Sequence, residues 1–242
     1  MEENKNSDNV NISLLSSIEA QNNVPESKDL EKSERAFKFF NSSIRRAENL
    51  LSINIDKDGK LLAIPENKIL DSYRAVIVLS ISALDAYVKT FLTVEIKQRL
   101  TERNLSVELK AYIKEDLYNK DKDSLYQVIF ESNFIEIIIA KFDEDFEKKS
   151  FQGQKSIDKH MKLAGFDQIF KKISRSANIS PDNLQSDLER FTNMRHSIVH
   201  CGDHDLTQTE PKENKISVKD AEDCIKLVKL ISSEIHKMIQ TR

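Results

Sequence analysis

The 242-residue chain has no tryptophan, only four glycines and four prolines, and two cysteines. Each shortage excludes something. A sheet-rich fold needs many tight turns, and tight turns rely on glycine and proline. With few of either, and with abundant Lys, Glu, Leu and Ile, the chain is expected to be helical. Two cysteines, Cys201 and Cys224, cannot build the disulfide framework of a small secreted domain. The first residues lack the apolar core of a signal peptide, so reduced thiols and a cytoplasmic location are expected. No apolar run approaches about 20 residues, so no membrane-spanning helix is expected. An excess of positive charge is missing too. The net charge of −3 argues against a bulk nucleic-acid binder. The charge is uneven, however. Residues 1–34 hold three lysines against eight acids, a net of −5, which leaves +2 on the rest.

What is present is helical periodicity. Residues 1–28 are rich in Asn, Ser and Glu and read as a disordered acidic tail. The short run "ISLLSSI" inside it is either solvated or a docking segment. From Leu30, Phe37, Phe40, Ile44, Ala47 and Leu51 recur at steps of three and four, one face of an N-terminal helix. "NIDKDGKLLAIPEN" reads as a loop. Val76, Ile77, Ile81, Leu84, Val88 and Phe91 then keep helical spacing in a stretch apolar nearly all round, the mark of a central bundle helix. Asp85 interrupts that stretch. A carboxylate there is partly buried and needs a partner, either a structural Arg or Lys or a site residue.

Ser106 opens a short helix. "SLYQVIFESNFIEIIIAKFDEDF" reads as a longer one, although "FIEIIIAKF" alone would suit a strand. Two more short helices follow. Lys155, Lys159, Lys162, Lys171, Lys172 and Arg175 stand against two aspartates, a net of +4. Such a run is usually a solvated face; it is also the candidate RNA-binding face. Ser180 is the expected N-cap of the next helix and Pro181 its first residue. Leu184, Leu188, Phe191, Met194, Ile198 and Cys201 trace its apolar face, and Gly202 ends it. Ser217 with Asp220 resembles a capping box. Ile225, Val228, Ile231, Ile235 and Met238 mark the last helix.

The stretch "NMRHSIVHCGDHD", Asn193 to Asp205, holds three of the five histidines. Three chemistries compete there. His196, His200 and His204 are spaced by four, but His204 lies beyond the expected helix end and no Glu follows the first His, so a metal site is the weaker reading. Cys201 sits on the apolar stripe at the helix end that repels negative charge, a poor place for a nucleophilic thiolate. Metal-free cleavage of RNA needs less. The neighbouring 2′-hydroxyl attacks the phosphate, a histidine moves protons and an arginine holds the phosphorane charge. Arg195 and His200 supply that pair. Five helical residues put them about 140° apart around the axis and about 7.5 Å along it. The bland alternative is an arginine in a surface ion pair and a histidine covering the last carbonyls.

"MRHSIVHCG" resembles the motif of the HEPN superfamily: an arginine, a polar residue, three more residues and a histidine near a helix end. "ISALDAYVKTFLTVEI" looks like the central helix of the RiboL-PSP-type HEPN group, which carries an acidic residue at the position of Asp85. "FQGQKSIDKHMKLAGFDQIFKKI" looks like its connecting helices. The likeness covers about Leu70 to Ile239. It implies an all-α, up-and-down helical bundle with a core at about 70–239, preceded by the tail of residues 1–28 and an additional N-terminal helix. It also implies a homodimer and a metal-independent endoribonuclease, often a toxin or phage-defence effector, with no cofactor and no membrane. An antitoxin or defence partner is implied as well. Catalytic Arg195 and His200 would be supported by His196 and Asp85. The tyrosine found two positions after the histidine in one HEPN subgroup is Gly202 here, so control by modifying that residue is not expected. The alternative is a non-catalytic HEPN module that binds a protein or nucleotide.

Overall fold

The computed structural model describes residues 25–53, 65–118, 131, 133–204 and 212–240. Among the described residues there are eight α-helices and no strand. They are α1 (Pro25–Leu51), α2 (Glu66–Thr101), α3 (Val107–Tyr112, running on into one wider turn, Ile113–Leu117), α4 (Phe134–Glu147), α5 (Gln154–Met161), α6 (Ile169–Ala177), α7 (Pro181–Cys201) and α8 (Val218–Gln240). The expected tail lies, over residues 1–24, outside the described residues; the helix itself already runs from Pro25. The loop expected at residues 54–67 also falls largely outside them, as does the segment 119–130 ahead of α4.

The axis is α2, a 36-residue helix about 54 Å long. Val76, Ile77, Ile81, Leu84, Val88 and Phe91 are all fully buried. By length and composition α2 could cross a membrane, and 56% of its most apolar window is buried inside the bundle. Its all-round apolar character is used by neighbours on every side. Helix α1 packs along it through Ala36, Phe40, Ile44 and Ala47, so the N-terminal helix is part of the core rather than an attachment. Helix α8 lies in the groove between α1 and α2, burying Ile225, Val228, Ile231 and Ile235. Helix α7 covers another side of α2 with Leu184, Leu188 and Phe191. The β-branched "FIEIIIAKF" is helical in α4 because Ile138, Ile139 and Phe142 meet α2 on one face at helical spacing.

Two caps test the local chemistry. Ser217 and Asp220 form the expected capping box: Ser217 N–H donates to Asp220 Oδ2 at 3.0 Å and Asp220 N–H to Ser217 Oγ at 3.2 Å. Ser180 takes the N-cap position of α7 with extended backbone, but its side chain makes no capping bond.

Below α4, the rings of Tyr112, Phe146 and Phe151 stand edge-on to His160. His160 Nδ1 lies 2.7 Å from the Ser156 carbonyl, so that nitrogen carries the proton, and the buried Nε2 has no partner. Burial holds this imidazole below its ordinary range. The Lys149 and Lys159 charges push the same way, against Asp145 and the Ser156 bond. The sign follows: the folded state prefers the neutral ring, so its contribution is intact above about pH 6.5 and is lost as pH falls through the lowered folded value. Urea midpoints at pH 7.5 and 5.5 should therefore drop more in the parent than in His160→Phe; equal drops would contradict this environment.

Candidate functional site

Helix α7 ends in a left-handed turn that strains any residue with a side chain. Gly202 adopts φ 59°, and a Cβ there would meet His204 Nδ1 at 3.3 Å. Asp203 is also left-handed, φ 61°, a conformation uncommon outside glycine. Five bonds hold it there, one of them from Asn214 Nδ2 to its carbonyl at 3.1 Å. Its N–H donates to Ser197 O at 3.1 Å, and its carbonyl accepts from Asn214 N–H at 2.8 Å. Its Oδ1 accepts from Asn214 Nδ2 at 3.1 Å, and its Oδ2 from Arg74 Nε at 2.7 Å. Arg74 rises from α2 and is nearly buried. It also reaches Glu213 at 2.9 Å, Asp71 at 3.2 Å and the Asn214 carbonyl at 3.2 Å. The strands of chain on either side of residues 205–211 are thus tied to each other and to α2.

The other anchor is Asp85. It is partly buried, and the expected Arg or Lys is not its partner among the described residues. Its Oδ1 accepts the backbone N–H of Phe151. The next residue, Gln152, offers its carbonyl to Thr192 Oγ1 on α7 at 3.1 Å. Arg74 and Asp85 are eleven residues apart on α2; Thr192 lies on α7 and Asp203, eleven residues later, two past its end. The two helices run antiparallel and are pinned at matching intervals. The segment between the pins carries Arg195, His196 and His200.

His196 and His200 are exposed, with ring centroids 4.5 Å apart and planes tilted by 41°. Arg195 is partly buried, and its buried Nε has no hydrogen-bond partner among the described residues. Neither histidine shares a hydrogen bond with it there. Arg190, the other arginine of α7, is engaged elsewhere: its Nη1 sits 2.7 Å from Asp220 and its guanidinium lies 4.0 Å from the Phe191 ring centroid. His204 Nδ1 is 3.3 Å from the Cys201 carbonyl, facing back to its own helix end. Among the described residues, no group of three or more His, Cys, Asp and Glu is arranged to hold a metal ion.

The candidate RNA-binding residues are exposed but not all close to this segment. Lys155 opens α5, just after the Gln152 that meets Thr192. Lys159 and Lys162 carry long ion pairs, 3.8 Å to Asp116 and 3.4 Å to Asp167. Lys171 and Arg175 line a recess of about 390 Å³ at the start of α7, with Ser180 and Pro181. From there to His200 is about 28 Å along the helix. Lys172 faces α8 beside Lys237 and Met238. One groove of about 580 Å³ lies between α1 and α8, floored by Leu51, Ile225 and Leu230, and touches none of the motif residues. Among the described residues, His196 and His200 face solvent.

Arg74, Asp203 and Asn214 were not singled out in the sequence. A signal existed: an arginine in an apolar helix needs a buried partner just as Asp85 does.

Residues 41–241 match the model of the family described as RiboL-PSP-HEPN. The chain belongs to this family. The match starts inside α1, well before the Leu70 suggested by motif likeness, in keeping with α1 being core. No curated protein and no solved structure matches the chain significantly. HEPN domains are commonly ribonucleases, and RNA-related chemistry is the coarse function this membership supports.

Replacing Asp203 tests the clamp of this HEPN domain. With Arg74 left only Glu213, Asp71 and the Asn214 carbonyl, Asp203→Ala should lose about 2 kcal/mol, whereas Asp203→Asn, which keeps an acceptor, should lose less. Thermal melts decide it. An Asp203→Ala variant melting with the parent would mean the pair holds nothing.

Proposed function

We propose that the protein is a metal-independent endoribonuclease, acting in the cytoplasm as a toxin or phage-defence effector. The 2′-oxygen attacks the adjacent phosphorus and loses its proton. The bond to the 5′-oxygen breaks, and that oxygen takes up a proton. The products are a 2′,3′-cyclic phosphate and a 5′-hydroxyl. His200 moves the protons as general acid/base. Arg195 holds the scissile phosphate and the charge of its transition state. His196, its ring beside that of His200, orients it. Asp85 acts at a distance, positioning α7 through Phe151, Gln152 and Thr192. RNA would run along α7 towards the Lys155–Arg175 face.

One observation carries this reading. Of the two arginines on α7, Arg190 is spent in an ion pair, while Arg195 keeps a buried Nε without an acceptor beside two exposed imidazoles. A charged donor without an acceptor is costly unless an anion or another chain supplies one. Because Arg195 and His200 diverge on one helix, a second copy would complete the site, and a homodimer is part of the proposal. An antitoxin or defence partner would act on the same surface. The same divergence favours the second reading, a non-catalytic module whose motif serves contacts with a partner.

RNA cleavage by variants, each beside a thermal melt, separates the two. His200→Ala should abolish cleavage and melt normally, since the residue is exposed. Arg195→Ala should lose most activity, and Arg195→Lys should stay impaired because an ammonium lacks the planar two-point contact. Asp85→Asn should show a milder loss of activity with some loss of stability. Cleavage should survive EDTA, and light scattering should give a dimer. Parental cleavage by a folded His200→Ala protein would remove the ribonuclease assignment from this helix.

A further inference from the structure

The outer face of α1 has no role in the site described above. Its inner face carries Phe37, stacked 4.0 Å from His236, and buried Phe40. Phe39, between them in sequence, points out and is 61% exposed. The Arg35 guanidinium lies 5.5 Å from its ring centroid. Lys38, Arg45 and Arg46 are exposed on the same side of the helix. Counting 100° per residue, Arg35, Lys38, Phe39, Arg45 and Arg46 fall within a sector of about 120°. By the same count Glu31, one turn before Arg35, falls in that sector, and from Glu34 onward no acid does. Glu34 lies at its margin, 3.2 Å from His236, and Glu48 lies on the far side, 3.0 Å from Lys229. None of the four cations has an ion pair among the described residues. Four like charges on about 17 Å of exposed helix repel one another, and a polyanion would meet them together while releasing their counterions.

We infer that this face of α1 is a docking stripe for single-stranded nucleic acid, separate from the Arg195–His200 surface. The cations would follow the phosphates, and Phe39 with Arg35 would offer a base a stacking platform. The exposed aromatic singles out a ligand with flat π-faces among polyanions. A second copy of the chain is disfavoured as the occupant, since a two-fold contact would bring the stripe against itself. The chain's own residues 1–24 carry four acids against one lysine and no aromatic ring, so they answer the charge but not Phe39. Arg35, Lys38 and Phe39 precede residue 41, where the family match begins, and Arg45 and Arg46 lie within it. The inference takes RNA as ligand from the proposed function but does not require cleavage.

The test is binding of a fluorescent oligouridine to the full-length protein in a His200→Ala background, titrated at several salt concentrations. Phe39→Ala should weaken binding about tenfold, the scale of one lost base stack. The triple change Arg35→Ala, Arg45→Ala and Arg46→Ala should lower the slope of log affinity against log salt by about two, at about 0.7 per phosphate contact. Lys226→Ala on α8 should match the background. All these residues are exposed, so melts should not move. Loss of binding with the triple change but none with Phe39→Ala would overturn the proposal, leaving a generic anion surface. Unchanged RNA binding in both variants would overturn it as well. With new protease cleavage within residues 1–24, that result assigns the stripe to the tail; with loss of a dimer, to a second copy. A parent that cleaves no RNA but shows the binding losses keeps this inference and sinks the nuclease; a parent that cleaves while both variants bind normally does the reverse.

Discussion

Everything around the site follows from one constraint: α2 is buried along most of its length, so a charged group on its packed faces needs a partner from a neighbouring element. Arg74 and Asp85 are the two that matter. Arg74 is answered by Asp203, just beyond the end of α7. Asp85 is answered by the Phe151 amide, in the turn that receives Thr192. Each costs desolvation, and neither is needed to fill the core. What they gain is register. A helix held by apolar contacts alone slides and rotates at low cost; one pinned at two points of matching spacing does not. The stretch from Thr192 to Asp203 is fixed in both respects.

The same arrangement explains how a rigid helix can present free side chains. The pins act on backbone and on residues flanking the motif, so the motif itself is left out of the structural bonding. Arg190 is recruited to hold Asp220 at the start of α8 and is spent. Arg195, little more than a turn later, keeps its Nε without an acceptor. His196 and His200 face solvent and contact each other. Side chains that face solvent cannot by themselves shield a reacting phosphate from water. If chemistry occurs there, the missing wall has to come from a second chain or from the nucleic acid.

Much of this was legible in the sequence, and the failures have physical reasons. The helices were, because Val76 to Phe91 and Ile225 to Met238 repeat at one period over many turns. Gly202 as a terminator was, because a left-handed helix end asks for glycine. A partly buried Asp85 asks for either an Arg or Lys partner or a site role; the structure answers it with the Phe151 amide, and a backbone amide leaves no mark in a sequence. Arg74 and Asp203 lie 129 positions apart, and nothing local links them. The role of α1 was underestimated, because periodicity shows that a helix has an apolar face but not which helix covers it. Its outer face was overlooked for a related reason. Arg35, Lys38, Arg45 and Arg46 are diluted by acids in a linear count, and only the helix projection gathers them.

The basic charge is therefore distributed differently from the linear pattern. Half of the Lys155–Arg175 group lies at the far end of α7 from His200, and the α1 stripe lies on another flank of α2. Neither alone forms a channel into the histidine surface. A polyanion that engaged both would have to wrap the bundle or span two chains, whereas a short one would find either patch sufficient. Charge placed this way favours capture over orientation: it raises local ligand concentration without fixing which bond meets the motif. Under the proposed function, orientation falls to Arg195, on the segment that α2 holds in register. The division between diffuse attraction and a single pinned contact lets the surface charges vary while the Arg74 and Asp85 anchors stay tied to both fold and site.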